Sequence, residues 1–253
     1  MGLRCVYTDL DGTLLGAGAS LFRDGEGAFT LLPARALEAC HRAGVEVVLK
    51  SGRRKVQVME DARLIGQSAY IYEVGSAVVI DGEEHFLTGR YTSTDDRTPH
   101  ELIEESGAPA LLLSTYAGQL EHHAPWHLDR HVSHLFRGRV DVAEANALLE
   151  REGLVDLRLI DNGSMSEGRR AYHLIPSTAS KAAAVEFHMR ARGYAADECI
   201  AVGDSLEDLG VAPLVGRFYL VANAAEGSGP NVVRTESGYG DGFYEAVVQA
   251  LVA

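Results

Sequence analysis

The stretch Arg4-Cys5-Val6-Tyr7-Thr8-Asp9-Leu10-Asp11-Gly12-Thr13-Leu14-Leu15 decides the reading of this chain. A short apolar run, Arg4 to Thr8, stops at two carboxylates spaced two apart and a glycine. A buried strand entering a polar loop has this pattern. Next, Pro33 opens a helix with Leu37 and Cys40 on one face and Gly44 as its stop. Val45 to Lys50 is a second β-rich run, ending at the polar loop Ser51-Gly52-Arg53-Arg54. A helix to about Leu64 and a strand from Ala69 to Tyr72 continue the alternation. Strand and helix in alternation predict a parallel sheet with covering helices, whose ligands bind beyond the carboxyl ends of the strands. Both polar loops fall there.

The alternation lapses near residue 83. Thr98-Pro99-His100-Glu101 combines an N-cap, a proline at the first helical position and a glutamate three after the cap. Gly107 ends that helix; Ala110 to Thr115 reads as a strand and Val142 to Leu149 as a helix. Leu154 to Ile160 and Ala171 to Ile175 read as strands joined by a turn at Asp161-Asn162-Gly163. After Pro176 the alternation resumes with a helix from Lys181 to Arg192, closed by Gly193, and a strand from Cys199 to Val202. The loop Gly203-Asp204-Ser205-Leu206-Glu207-Asp208 follows, then a strand from Phe218 to Val221. A glycine-marked loop from Gly227 leads to a C-terminal helix after Asp241-Gly242. The expected fold class is α/β: a doubly wound, Rossmann-like parallel-sheet core of residues 1–82 and 175–253. An inserted α+β cap domain, residues 83–174, interrupts it.

Composition narrows the function. The 253 residues, 46% hydrophobic and 23% charged, suffice for a core without disulfides or metal. Cys5, Cys40 and Cys199 lie in apolar surroundings and read as reduced core thiols. No apolar run approaches the roughly 20 residues that span a bilayer, and the first strand begins too early for a leader. A cytoplasmic location without a membrane partner is expected. With 23 basic against 36 acidic residues the net charge is −13, which disfavours nucleic acid as a partner. A small phosphorylated metabolite remains compatible where cations or a metal concentrate locally. Oligomeric state is left open.

In a parallel sheet, Asp9 and Asp11 at one strand end and Asp204 and Asp208 at another converge on one rim. Four carboxylates so placed repel one another and favour protonation or a cation. A hard, oxygen-preferring ion such as Mg²⁺ answers that conflict. Taken singly, each acid could instead cap the helix after its strand.

These residues resemble the haloacid dehalogenase superfamily. Asp9-Leu10-Asp11-Gly12-Thr13-Leu14-Leu15 is similar to its first motif, Ser51-Gly52-Arg53 to its second, Lys181 at a helix start to its third, and Gly203-Asp204-Ser205-Leu206-Glu207-Asp208 to its fourth. The insertion between the second and third motifs, with Tyr239-Gly240-Asp241-Gly242-Phe243 near the end, resembles the Cof-like (type IIB) branch. Mannosyl-3-phosphoglycerate and sucrose-phosphate phosphatases are the subgroups it suggests. The resemblance implies an aspartyl-phosphate phosphatase in which Asp9 attacks phosphorus and Asp11 acts as general acid and base. It implies Mg²⁺ held by Asp9, the Asp11 carbonyl and Asp204, with Asp208 in support. Ser51, Gly52 and Lys181 would meet the phosphoryl oxygens, with Arg53 beside them.

Two positions depart from the family pattern: Glu207 stands where Asn is common, and Glu73-Val74-Gly75 replaces a strand ending in Asn-Gly. Gly16-Ala17-Gly18 lacks the third glycine of a dinucleotide fingerprint. Five histidines fall between 122 and 134. On a helix, His127, His131 and His134 would share a face fit for zinc; the other reading is a polar, substrate-facing surface. Arg130, Arg137 and Arg139 make this the most cationic part of the chain, and Arg130 and Arg137 are the expected contacts to a second acidic group on the substrate. Trp126 reads as a core anchor or as a stacking platform for a sugar. Two alternatives stay open: transfer of the phosphoryl group to a second sugar hydroxyl, and a catalytically silent binding protein.

Overall fold

Strand β1 (Cys5–Thr8) has no exposed residue, as a central strand covered on both faces requires. It occupies that place in a computed structural model of the chain, which describes residues 2–224 and 226–252. With β2 (Glu46–Lys50), β3 (Ala69–Tyr72), β4 (Ala77–Ile80) and β5 (Glu83–Phe86) it forms one side of an eight-stranded sheet. The chain then builds a four-stranded antiparallel sheet from β6 (Leu120–His122), β7 (His134–Gly138), β8 (Leu157–Ser164) and β9 (Arg170–Pro176). It returns to the first sheet through β10 (Cys199–Gly203), β11 (Arg217–Leu220) and β12 (Val232–Arg234). The large sheet has the order β12-β11-β10-β1-β2-β3-β4-β5, parallel through β3 and antiparallel for its last two strands. Thr8 pairs with Val202 on one side and Leu49 on the other. Asp9, Ser51 and Asp204 therefore leave the sheet side by side.

Helices α1 (Leu32–Ala43) and α2 (Lys55–Leu64) make the first crossovers. The insert adds α3 (Pro99–Glu105), α4 (Ala108–Thr115) and α5 (Val142–Arg151), and the return adds α6 (Lys181–Arg192), the short α7 (Leu206–Leu209) and α8 (Tyr239–Val252). Ala36, Leu37 and Cys40 of α1 join Phe243 and Val247 of α8 on one face of the large sheet, while Ala184, Val185 and Met189 of α6 cover the other. The small sheet has its own core against α3, α4 and α5, centred on Phe136, Leu112 and Leu149. All three cysteines are buried and free. No described helix is long and apolar enough to cross a membrane.

Several expected elements differ. Residues 110–115 are helical, within α4: Gly107 in the left-handed conformation and Pro109 near the first turn start a helix, and the run Leu111-Leu112-Leu113 has no β-branched residue to oppose it. Asp161-Asn162-Gly163 is no hairpin turn but lies inside β8. There Asp161 Oδ1 accepts from Gly163 N at 2.9 Å and the register slips between Asp161 and Ser164, so a turn-like sequence forms a bulge. The polar segment Glu83–Phe86 pairs with β4 and extends the large sheet past residue 82, while β9 runs to Pro176. The glycine-marked loop contains β12, parallel to β11. The histidines share no helix: His122 ends β6, His134 opens β7, and His127 and His131 lie in the irregular chain between.

Candidate active site

The rim of the large sheet carries a cluster of buried ions. Lys181, at the start of α6, donates to Asp9 Oδ1 and Asp208 Oδ1, both at 2.8 Å. Lys50, fully buried at the end of β2, donates to the same Asp208 oxygen and to the Val202 carbonyl at 3.2 Å. Ser205 donates its hydroxyl to Asp208 Oδ2 at 2.5 Å and its amide at 3.3 Å. All four acceptor positions of Asp208 are thereby taken. Burial works against charge on Asp208, but the two ammoniums outweigh it and hold the carboxyl well below the usual range. Lys181 is driven the opposite way: burial disfavours its charge, and Asp208 and Asp9 more than restore it.

Asp9 and Asp204 are less well compensated. Burial, opposed by Lys181 and reinforced by Asp208 and Asp204, pushes Asp9 up to about 7. Asp204 is also raised, by burial first and Asp208 next; Thr13 donates to it at 3.2 Å. Oxygens of Asp9, Asp204 and Asp208 lie within 4.8 Å of one another, all hard ligands, and two of the three have free acceptor positions. This donor set fits a divalent ion such as Mg²⁺. The Asp11 carboxylate stands apart, in a two-point ion pair with Arg53 at 2.6 and 2.8 Å. Gly12 is the one residue that fits beneath: its φ is +84°, and a Cβ there would meet Asp204 Oδ2 at 2.5 Å.

A cavity of about 590 Å³ opens over this rim. Asp9, Asp11, Ser51, Gly52, Lys181 and Asp204 line its floor, so these sequence-predicted residues come together. Asp208 lies beneath the floor, reached only through Lys181 and Ser205. Arg53 lines the cavity, but its guanidinium holds Asp11 and Asp61. The small sheet and the segment between β6 and β7 supply the roof, the sheet with Leu135, Asn162 and His173 and the segment with Trp126 and Arg130. Trp126 is half exposed and no core anchor. Arg130 is buried and donates to the carbonyls of Trp126 and Gly52 and to Ser133 Oγ. Arg137, expected beside it, is absent from the lining and pairs with Glu121 at 2.7 Å. The histidine-rich stretch forms no zinc set among the described residues; His122 stacks on His127 and His134 on His100. The other grouping of possible ligands among the described residues, Cys5, Glu46 and His188, lies at the opposite, starting ends of β1 and β2, where Arg192 and Tyr194 already bind Glu46.

The sequence reading missed Lys50, whose signal was a lysine directly after the apolar run Val47-Val48-Leu49 of β2. Glu73 stood out in the sequence only as part of a departure from the family pattern; its buried carboxylate accepts from the amides of His131, Val132 and Ser133 at 2.6–3.0 Å and from Ser133 Oγ at 2.9 Å. Glu207 pairs with Arg158 of β8 at 3.1 Å. Both departures from the family pattern thus reach the small sheet, and neither lines the cavity.

Residues 3–227 match the sucrose-6F-phosphate phosphohydrolase family. The chain belongs to it. This family lies within the haloacid dehalogenase superfamily, so the protein is a phosphatase, a phosphoric monoester hydrolase. The phosphatase is 27% identical to a phosphoglycolate phosphatase of Methanoculleus marisnigri, over 97% of this chain and 95% of that one. It is 26% identical to one of Archaeoglobus fulgidus, over 88% and 85%. Its fold matches the sucrose-phosphatase of Synechocystis, solved with sucrose and phosphate, at a TM-score of 0.69 and 16% identity, over 99% and 98% of the chains. A Thermoplasma acidophilum protein, 0175, aligns over the full length of both chains at 0.71 and 17%.

Proposed function

We propose that this phosphatase hydrolyses a small phosphorylated metabolite, a sugar phosphate or a glycosyl-3-phosphoglycerate, through an aspartyl-phosphate on Asp9 in the presence of Mg²⁺. The observation that carries the reading is the position of Asp9: the acid at the end of β1 lines the cavity floor, bonded to Lys181 and beside Asp204. The identities of the relatives add that phosphate esters of small hydroxylated or carboxylated molecules are the class to test.

An Asp9 oxygen attacks phosphorus as the ester P–O bond breaks, and the leaving oxygen takes a proton from Asp11. Water then attacks the same phosphorus, giving its proton to Asp11, and the bond to Asp9 breaks to release phosphate. Arg53 holds Asp11 at the mouth of the cavity between its two duties. Ser51, the Gly52 amide and Lys181 meet the phosphoryl oxygens with donors already in place. Asp9, the Asp11 carbonyl and Asp204 would hold Mg²⁺, which when bound offsets the repulsion between a carboxylate and a phosphate. Asp208 anchors Lys181 and Lys50 from below. Residues 83–174 serve as the cap that reads the leaving group, with Arg130 and Trp126 facing it. Arg137 would act only by leaving Glu121.

The test is phosphate release from a panel of phosphate monoesters, with and without Mg²⁺. Turnover of sugar or glyceric phosphates that vanishes with EDTA is expected. Metal-independent turnover, or phosphoryl transfer to a second sugar with no release to water, would overturn the reading.

A further inference from the structure

His173 lies on β9, at the roof of the cavity, with only 1% of its surface exposed. Its Nδ1 is 3.2 Å from Ser133 Oγ. That hydroxyl has two other neighbours: an Arg130 nitrogen at 3.0 Å and Glu73 Oε2 at 2.9 Å. A hydroxyl has one proton to give. Glu73 Oε2 already accepts from the amides of Val132 and Ser133 and faces Ser133 Oγ at contact distance, so the single proton must point at it. Arg130 can only donate. Ser133 Oγ must therefore accept from Arg130 and from His173, which places the imidazole proton on Nδ1. Burial, followed by the nearby charges of Arg130 and Lys181, holds the ring neutral. Nε2 is left as the acceptor of a ring that lines the cavity, and among the described residues the ring's hydrogen bond is the one through Nδ1.

We infer that His173 is a specificity-determining residue that accepts a hydrogen bond from a hydroxyl of the leaving group, selecting polyhydroxylated esters over those ending in a carboxylate. The inference rests on the phosphatase reading above and deepens it. A carboxylate brought to Nε2 would set lone pair against lone pair, whereas a sugar hydroxyl supplies the missing donor. Glu73, remote from the lining and contributed by the large sheet, acts as a positioning residue: it turns Ser133, and Ser133 fixes the tautomer.

Two measurements on the full chain test this. Long-range ¹H–¹⁵N spectra of ¹⁵N-histidine-labelled protein, with His173 assigned by its loss in His173→Gln, should report Nδ1 protonated and Nε2 bare; a proton on Nε2 overturns the inference whatever the enzyme hydrolyses. Separately, in His173→Leu the kcat/KM for a hexose 6-phosphate relative to para-nitrophenyl phosphate should fall about tenfold. The same ratio for phosphoglycolate should change less than about twofold. Equal changes for the two esters, or none for either, overturn the inference while leaving the hydrolytic reading intact. If wild-type protein releases phosphate from none of the three esters, the substrate reading fails, and the spectra alone decide the tautomer.

Discussion

The eight-stranded sheet meets the cavity with ions, Asp9, Asp204 and Lys181 above the buried Asp208 and Lys50, whereas the four-stranded sheet meets it with His173, Leu135 and Asn162. On the first side, charges are buried close together and compensated by one another; on the second, the imidazoles of His134 and His173 are held neutral by burial. A site that moves a phosphoryl group needs donors and charge fixed before the substrate arrives. A site that reads the rest of the molecule needs shape and neutral polar groups with a defined donor–acceptor sense. In the proposed reading chemistry falls to one sheet and selection to the other, and Glu73 joins them through its bonds to residues 131–133.

The largest effect that would break this division is at the nucleophile. Asp9→Asn keeps the size of the side chain, and kcat for any phosphate ester should drop by roughly 10³-fold or more. The melting temperature of the metal-free protein at neutral pH should hold or rise, since Asp9 is itself poorly compensated. Near wild-type turnover would remove the covalent step.

Metal binding comes next in size. With Asp9 near 7, the protonated carboxyl must lose its proton before it can hold a cation. Mg²⁺ affinity, measured by calorimetry between pH 6 and 8, should therefore weaken by up to about tenfold per unit as the pH falls below 7. Because the folded value lies above the ordinary 3.8, Asp9 also costs the metal-free protein stability as pH rises from about 4 to 7, and Mg²⁺ should restore it. A flat affinity over this range would place the cation elsewhere.

Glu73→Ala sharpens the comparison at the joint. It would leave three backbone amides and the Ser133 hydroxyl without their acceptor, which costs on the order of 3 kcal/mol. Denaturant unfolding should report that loss, and hydrogen exchange should place it in residues 130–134. A variant as stable as wild type would deny the link between the sheets.

The smallest effect is acid sensitivity of the small sheet. Burial, aided by His100, lowers His134 from 6.5 to about 3, and His173 is also depressed. A histidine kept neutral in the folded state stabilises it fully above pH 6.5, and that contribution is lost as the pH falls toward 3. Melting monitored between pH 7.5 and 4.5 should decline progressively, and less so in His134→Gln. Identical slopes would contradict the assignment.

Most of the cavity floor was legible in the sequence because the ends of parallel strands converge by topology. Once Arg4–Thr8 and Cys199–Val202 are strands, Asp9 and Asp204 must meet. Lys50 was not legible, because nothing local distinguishes a lysine that ends a strand in solvent from one turned under the rim. The roof was largely hidden. Asp161-Asn162-Gly163 has the composition of a turn, and only pairing with β9 makes it a bulge that brings Asn162 over Gly52, where a Cβ would meet its Nδ2 at 2.6 Å. Likewise Arg130 and Arg137 look equivalent along the chain, yet Glu121 across the β6–β7 pair engages one of them alone.

The central claim is that Asp9 carries the phosphoryl group. Rapid acid quench of the Mg²⁺-loaded enzyme turning over a ³²P-labelled ester, followed by peptide mapping, tests it directly. The account predicts label on the peptide containing Asp9, released by hydroxylamine as an acyl phosphate is, and absent from Asp9→Asn. Label on any other residue, or undiminished turnover with no labelled protein at the earliest quench times, would contradict it.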